Sequence, residues 1–536
     1  MELEYVLAVS VAFAGLIWRA MSLAVLGIIA VTLHIVLYRL TLHPLAKVPG
    51  PKWAAISNFW YARQIAKGRM AQLGLEMHRK YGDIVRVGPN EVWFNTTEAF
   101  DQIYCTGKGF EKSDFYLATA LTRPTIDWKF NANFEDTLDL LSERNMKRYR
   151  LQRRLIGRVY SAANVAKYED ALTAAIERIV QRLYELEGKE IDLKEWMHII
   201  TVECLGATVL SWSPGLLRDG TDWGTLSHSF QGWRRKCLFG VFPTMKKMEQ
   251  LSPSLGRAFA SLWAVTYRPP PTFKPFFPGV VKNIVRRLTA SLKPGTPKDN
   301  RVDLLNDLIQ LRNDRPEFNE VYLRKMAVTN FGAGHETVAS TLTASVAMIA
   351  SHNNIQKQVY LEQRTAEADG ALVYASSNRF TYTKAAIREA MRLYPVVPMS
   401  LPRKTPPTGL HVNGLSVPPN TTVGCSAIAL HRKEDIFGAS PDLYDPGRWL
   451  CAETVDETVA ATSASVRMMD KYSLSWGGGS RSCPGRNLAE LLVLKVIATL
   501  FRRFEVEVAI PPDADKEAYF LFVLSGVKVK FLPRSG

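Results

Sequence analysis

Cysteine is scarce in this chain: Cys105, Cys204, Cys237, Cys425, Cys451 and Cys483 are the only six in 536 residues, and no two form a C-x-x-C pair. That scatter excludes a disulfide-framed secreted scaffold and a cysteine-rich zinc module, and it suits a reducing, cytosol-facing environment. The first five read as small buried hydrophobes. Internal repeats, low-complexity tails, a P-loop and a dinucleotide-binding fingerprint are also missing. Electrons from a nicotinamide would therefore have to arrive through another protein. No G-x-S-x-G elbow supports a serine hydrolase. Acidic residues are in deficit, 51 against 67 Lys plus Arg, for a net charge of +16. Such an excess suits an anionic membrane surface or an acidic protein partner. Nucleic acid is set aside, because no zinc-finger spacing or basic heptad region accompanies the charge.

Long apolar runs occur at one end. Residues 6–18 and 21–38 are apolar and are separated by Arg19, and only the second approaches the roughly 20 residues that cross hydrocarbon. Glu2 and Glu4 replace the basic start of a signal peptide, so a retained anchor is expected, with its span at about 21–38. The first run can extend that anchor, lie in the interface or form a hairpin. Arg39, Lys47 and Lys52 follow the span and put the bulk of the protein in the cytosol. Pro44, Pro49 and Pro51 make residues 40–52 a stiff elbow. Residues 53–536 then form the globular part. Length alone would allow about three domains of ~150 residues.

Within the globular part, residues 84–95 alternate about Gly88-Pro89-Asn90, a hairpin signal. Residues 99–351 have mostly helical spacing, including long amphipathic stretches at 165–186 and 193–209. The five prolines of 268–279 read as a surface loop between helices. Residues 325–351 form a helical run with Glu336 and His335 near its centre. An acid and a histidine there are costly in lipid, which counts against a second membrane span. His335-Glu336 also begins the zinc motif H-E-x-x-H, but Ala339 stands where the second histidine is required.

One cysteine sits in unusual company. Trp476-Gly477-Gly478-Gly479-Ser480-Arg481-Ser482-Cys483-Pro484-Gly485-Arg486 is a glycine-rich loop directly before an apolar helix. Glycines permit positive φ and close approach to a flat ligand. Backbone N–H groups and the helix start are expected to lower the Cys483 pKa and keep a thiolate available to a metal. Glu389-Ala390-Met391-Arg392 places opposite charges three residues apart on one helix face, and Pro446-Gly447-Arg448-Trp449 follows.

The loop resembles the haem-binding signature F-x-x-G-x-R-x-C-x-G of cytochromes P450, matched by Gly479, Arg481, Cys483 and Gly485, with Trp476 in place of phenylalanine. Ala333-Gly334-His335-Glu336-Thr337 resembles that family's oxygen-binding turn. Glu389 and Arg392 match its E-x-x-R helix, and Arg448 its P-x-R segment, with Gly447 where glutamate is frequent.

The resemblance implies a mainly α cytochrome P450 fold, one large helical domain with a small β region over residues 53–536, behind the N-terminal anchor at 1–39. It also implies a membrane-bound monooxygenase in which Cys483 is the axial ligand of haem b, pushing electron density onto the iron. Trp476 would shield the sulfur, and its bulk and N–H bear on the redox tuning. Gly479 and Gly485 would let the backbone approach the macrocycle. Ala333 and Gly334 would leave room for dioxygen. Thr337 and Glu336 would deliver protons during oxygen activation, with His335 structural or substrate-facing. Glu389, Arg392 and Arg448 would form a structural triad. Propionates would be held by Arg481, by Arg403 in Leu401-Pro402-Arg403, and by Tyr149 and Arg153, which stand in for the family's W-x-x-x-R.

The dense cluster Lys147, Arg148, Arg150, Arg153, Arg154 and Arg158 is either a solvated helix face or the dock for an acidic flavin partner. The implied partner is NADPH-cytochrome P450 reductase, with cytochrome b5 as an optional second donor and membrane lipid around the anchor. The implied location is the endoplasmic reticulum. The elbow and Phe110-Glu111-Lys112-Ser113-Asp114-Phe115-Tyr116 look fungal and similar to enzymes that tailor secondary metabolites. That implies a lipophilic polyketide, terpenoid or alkaloid substrate, with walls in residues 113–128, at Phe331, along 396–399 and near 520–524. Two other readings stay open. One is a haem-thiolate enzyme that rearranges, desaturates or couples without inserting oxygen; the other is a membrane-bound haem carrier or sensor.

Overall fold

The computed structural model describes residues 2–105, 107, 109–120, 125–126, 132–133, 139–291, 293, 299–368, 373–374, 379–450 and 457–534. Both apolar N-terminal runs belong to one helix, Glu2–Leu37, which runs into a π-helical turn at Tyr38–Leu42. Arg19 does not break it, because arginine is a good helix former and nothing packs against it. Ala12–Leu42 is long and apolar enough to cross a bilayer, with mean hydropathy 2.4 and none of it buried in protein. The apolar stretch thus starts earlier than the expected 21–38, and the hairpin alternative falls.

The proline-rich elbow is docked rather than free. Leu45 and Val48 are buried beneath it. Arg86, itself buried, donates to the carbonyls of Arg39 (2.8 Å), Leu45 (3.3 Å) and Pro89 (2.8 Å), and its own N–H reaches Pro49 O at 2.7 Å. Gly50 is required there, since a Cβ would lie 2.2 Å from Arg86 O. The expected hairpin pairs Ile84–Gly88 with Glu91–Phe94. It continues into a five-stranded sheet through Thr422–Cys425, Arg403–Lys404 and Glu111–Lys112. Arg403 thereby comes beside Lys112, nearly 300 residues away in sequence.

The body is mainly α. A central helix, Glu320–Ala350, packs on Leu193–Leu210, Phe277–Ser291, Thr381–Leu393 and Arg486–Arg503. Every residue from Val338 to Ala350 is buried, so this apolar run is a core helix and not a second span. The stretch 165–186 breaks at Tyr168 into Ala162–Ala166 and Glu169–Tyr184. The break brings Asn164, Lys167 and Tyr168 together on the Asp307 carboxylate. In the proline-rich stretch, Phe277 and Pro278 open a helix rather than extend the loop, in a first turn where a missing N–H costs nothing. A second small sheet joins Phe504–Ala509, Lys528–Pro533 and Ile191–Asp192, all antiparallel.

Replacing Arg86 with methionine removes three side-chain hydrogen bonds, to the carbonyls of Arg39, Leu45 and Pro89, while preserving much of the volume. Chemical denaturation should show a loss of about 2 kcal/mol of stability, the scale of charge-assisted hydrogen bonds to buried acceptors. A loss near zero would mean that the elbow is held by its apolar contacts alone.

Candidate active site

The cysteine loop is built by its glycines. Gly477 and Gly479 have positive φ, 76° and 54°. A Cβ on Gly479 would lie 1.8 Å from Tyr104 O, so no other residue fits without moving the helix Thr97–Tyr104. The chain turns through Gly479–Arg481, and Cys483 N–H closes the loop on Trp476 O at 2.7 Å. The helix Arg486–Arg503 then begins. A Cβ on Gly485 would make ordinary contact with Sγ, at 4.0 Å.

Cys483 is open to an approaching group, yet the surrounding protein desolvates it. Burial pushes its pKa up; the Gly485 N–H, Arg153 and Arg486 only partly offset this. The lowering expected from the loop and helix end therefore does not prevail, because desolvation of the anion outweighs a single N–H bond and two nearby cations. Full ionisation falls to a metal ion at the sulfur.

Cations outnumber acids beside the loop, where Glu143 and Asp139 lie within electrostatic reach of Arg481 and Lys112. Arg481 donates to Glu143 O (2.5 Å) and Arg144 O (2.8 Å), lies 3.9 Å over the Tyr149 ring, and has a buried Nε with no partner. Burial, then the charge of Arg403, pushes its pKa down to about 10. Arg403 is buried and makes only long 3.3 Å bonds to the Leu401 and Pro402 carbonyls. Arg153, one turn past Tyr149 on Met146–Ile156, has a buried Nη1 without a partner. None of these three guanidinium groups forms an ion pair among the described residues.

Lys112 joins the group. It is buried, donates to Leu140 O and Leu141 O, and is held well below the usual lysine range by burial and then by Arg481 and Arg403. A buried cluster of this kind calls for a dianionic edge. The residues present therefore fit a haem, whose two carboxylates the arginines would hold and whose iron Cys483 would meet. Lys112 carried no signal in the sequence, because a single lysine in a two-residue strand has no pattern around it.

The triad residues meet on one carboxylate. Glu389 accepts from Arg392 Nη2 (2.8 Å) and Nε (2.8 Å), Arg448 Nε (2.7 Å), Asp445 N (3.1 Å) and Trp449 Nε1 (2.8 Å). Burial alone would raise its pKa, but the Arg392 bonds and the charges of both arginines hold it below the usual carboxylate range. Sequence reasoning missed His431. Its Nε2 accepts from Leu474 N (2.8 Å), so Nδ1 carries the proton that reaches Arg392 O (3.1 Å). Burial pushes the His431 pKa down to about 3, and this neutral imidazole ties the triad helix to the loop's approach.

On the central helix the expected grouping divides. Ala333 is exposed and Thr337 partly so, on one face, with the Thr337 hydroxyl donating to Ala333 O at 2.8 Å. Glu336 is buried and turned elsewhere, accepting from Ser229 Oγ and from Trp233 Nε1 at 2.9 Å. Gly334 serves packing rather than open space: a Cβ there would meet Leu205 at 3.0 Å. His335 lies on the far face, bonded to His198 at 3.0 Å, which in turn bonds Asp222 at 2.9 Å. Burial, then His198, holds His335 well below the usual histidine range, so it takes the structural side of its two readings. Phe331 packs in the core against Phe276 at 5.8 Å and does not join the Thr337 face. The wall expected at residues 113–128 lies partly outside the described residues.

Glu389→Ala leaves two buried guanidinium groups without a carboxylate and should cost about 3–5 kcal/mol in chemical denaturation. Because the folded Glu389 pKa is depressed, its stabilisation is full above the ordinary carboxylate pKa and is lost as pH falls through the lowered value. The variant's stability should therefore fall less steeply on acidification than that of the parent. Equal slopes would remove Glu389 from the acid response.

A sequence profile of the cytochrome P450 family matches residues 48–531. The chain is 49% identical over 526 residues to the cytochrome P450 monooxygenase sdnT of Sordaria araneosa, covering 93% of each chain. It is 26% identical to the cytochrome P450 monooxygenase gsfF of Penicillium aethiopicum, covering 95% of this chain and 98% of the relative. It is also 26% identical to the cytochrome P450 monooxygenase hepC of Aspergillus oryzae, covering 90% and 91%. Similarity that runs unbroken from the elbow to the last strand leaves one conclusion: the chain belongs to the cytochrome P450 family.

Proposed function

We propose that this haem- and dioxygen-using monooxygenase inserts one oxygen atom into a lipophilic small molecule, an intermediate of fungal secondary metabolism. The observation that carries the reading is the accessible Cys483 beside three guanidinium groups, Arg153, Arg403 and Arg481, that form no ion pair among the described residues. When bound, the haem supplies the dioxygen-activating chemistry. Cys483 would ligate its iron, while Arg153, Arg403, Arg481 and Tyr149 would hold its carboxylates. Gly479 lets the loop pack on the Tyr104 backbone, Gly485 lies beside the sulfur, and Trp476 would shield the sulfur. Glu389, Arg392 and Arg448 hold the loop in place.

Thr337 presents a hydroxyl on the accessible face of the central helix, with Ala333 leaving the space beside it free of side-chain bulk. Glu336 supplies protons to that hydroxyl only after releasing Ser229 and Trp233. That engagement of Glu336 is the one observation favouring the second reading, rearrangement, desaturation or coupling without oxygen insertion. The family likeness outweighs it.

The N-terminal helix is compatible with a membrane anchor. We place the protein in the endoplasmic reticulum as a single-pass enzyme with its catalytic domain, residues 53–536, in the cytosol. Electrons come from NADPH through a separate flavin reductase, with cytochrome b5 as an optional donor. Lys147, Arg150, Arg154 and Arg158 are exposed and form no ion pair among the described residues, whereas Arg148 is paired with Glu143 and Arg153 is turned inward. An acidic flavin domain would meet that exposed set.

The reduced, CO-bound protein should show the red-shifted band of thiolate ligation, and Cys483→Ser should lose it; a retained band sinks the residue assignment. With labelled dioxygen, the product should carry one labelled oxygen, and an unlabelled product would favour the second reading. Reversing Arg154 and Arg158 to glutamate should cut reductase-supported turnover about tenfold at low salt, with the deficit shrinking as salt rises. A salt-independent deficit would place the effect elsewhere.

A further inference from the structure

The helix Thr225–Val241 carries a cation that the machinery above does not use. Ser229, Trp233, Lys236 and Gly240 recur every three or four residues and so share a face. That face looks inward. Ser229 and Trp233 bond Glu336 on the central helix, and Gly240 packs so closely on Phe115 that a Cβ would lie 2.5 Å from its ring. Lys236, half-buried, sits between these two contacts on the helix, with its charge within reach of His335 on the central helix and of Asp139.

The helix's other interior-flanking cations are engaged on other faces. Arg234 donates to Ala66 O at 2.9 Å, and Arg235 is paired with Glu249. Lys236 has no hydrogen bond and no ion pair among the described residues; its ammonium lies over the Trp233 ring, 4.4 Å from the centroid. The titratable groups around it are already committed. Glu336 accepts from Ser229 and Trp233, Asp139 accepts from Leu141 N and Ser142 Oγ, His335 is bonded to His198, and Cys237 is a buried thiol. The remaining wall is aromatic: Trp233 stacks on Phe520 at 4.5 Å, and Phe520 faces Phe115 at 6.4 Å.

A partly desolvated ammonium on an aromatic wall, with no carboxylate of its own, is a binding group for an anion. We propose that Lys236 determines specificity by pairing with a carboxylate carried by the substrate, while the Trp233–Phe520–Phe115 stack holds the lipophilic skeleton. The proposal rests on the monooxygenase reading and narrows its substrate class to lipophilic acids. A fixed charge pair at one end of an otherwise apolar molecule sets which carbon faces Thr337, because apolar contacts alone leave many orientations close in energy.

The test starts from the compound that accumulates in a producing strain lacking this chain and that the purified full-length protein turns over. It should carry a free carboxyl group; a neutral compound overturns the proposal. Wild type, Lys236→Met and Lys236→Arg are first shown to give the thiolate-ligation band, so that a negative result falls on Lys236 alone. Spectral titration with the accumulated acid should then show about thirtyfold weaker binding for Lys236→Met, with Lys236→Arg near wild type. The methyl ester should bind wild type and Lys236→Met alike. Equal affinity of all three proteins for the acid, or an ester preference lost with the charge, would overturn the assignment.

Discussion

Five hydrogen bonds converge on the buried carboxylate of Glu389, and the geometry around Cys483 depends on them. A fully buried carboxylate is tolerable only when its lone pairs are occupied by charged donors, and here two arginines and an indole occupy them. Arg392 then spends its remaining donors on the carbonyls of His431, Pro441 and Leu443. Through that network a helix ending at Leu393 governs a loop that begins some eighty residues later. His431 completes the link, taking its proton bond to Arg392 O and receiving the Leu474 N–H just before the glycines.

Beyond the loop, the site is organised by an imbalance of charge. Arg153, Arg403, Arg481 and Lys112 approach one another with only Glu143 and Asp139 as acids in electrostatic reach of Arg481 and Lys112 among the described residues, an excess of positive charge that favours an anionic partner. The opposite rule governs the central helix, where each polar group of the Ala333–Thr337 turn is assigned to a different neighbour. Thr337 stays on the accessible face, Glu336 goes to Trp233 and Ser229, and His335 goes to His198. Successive residues on a helix point about 100° apart, so adjacency in sequence separates these side chains in space.

The cysteine loop, the Glu389-Arg392 pair, Arg448 and the anchor were legible in the sequence because each is local: glycine spacing, an i,i+3 charge pair, a short segment and an apolar run. The hairpin at residues 84–95 was legible for the same reason. Lys112, His431 and Trp449 were not, since each acquires its role from a partner more than 25 residues away. The continuity of the anchor helix across Arg19 and the packing role of Gly334 against Leu205 were equally invisible.

By itself, then, the sequence determined the family, the cysteine loop that carries the family's signature, the apolar N-terminal run and the residues that meet on Glu389. Tertiary structure alone decided that burial raises the Cys483 thiol, that Glu336 faces Trp233 instead of Thr337, and that Lys236 points inward without a carboxylate. The reason is that a motif records which groups are near in the chain. Desolvation and pairing depend on which groups are near in space, and those are supplied by other elements of the fold.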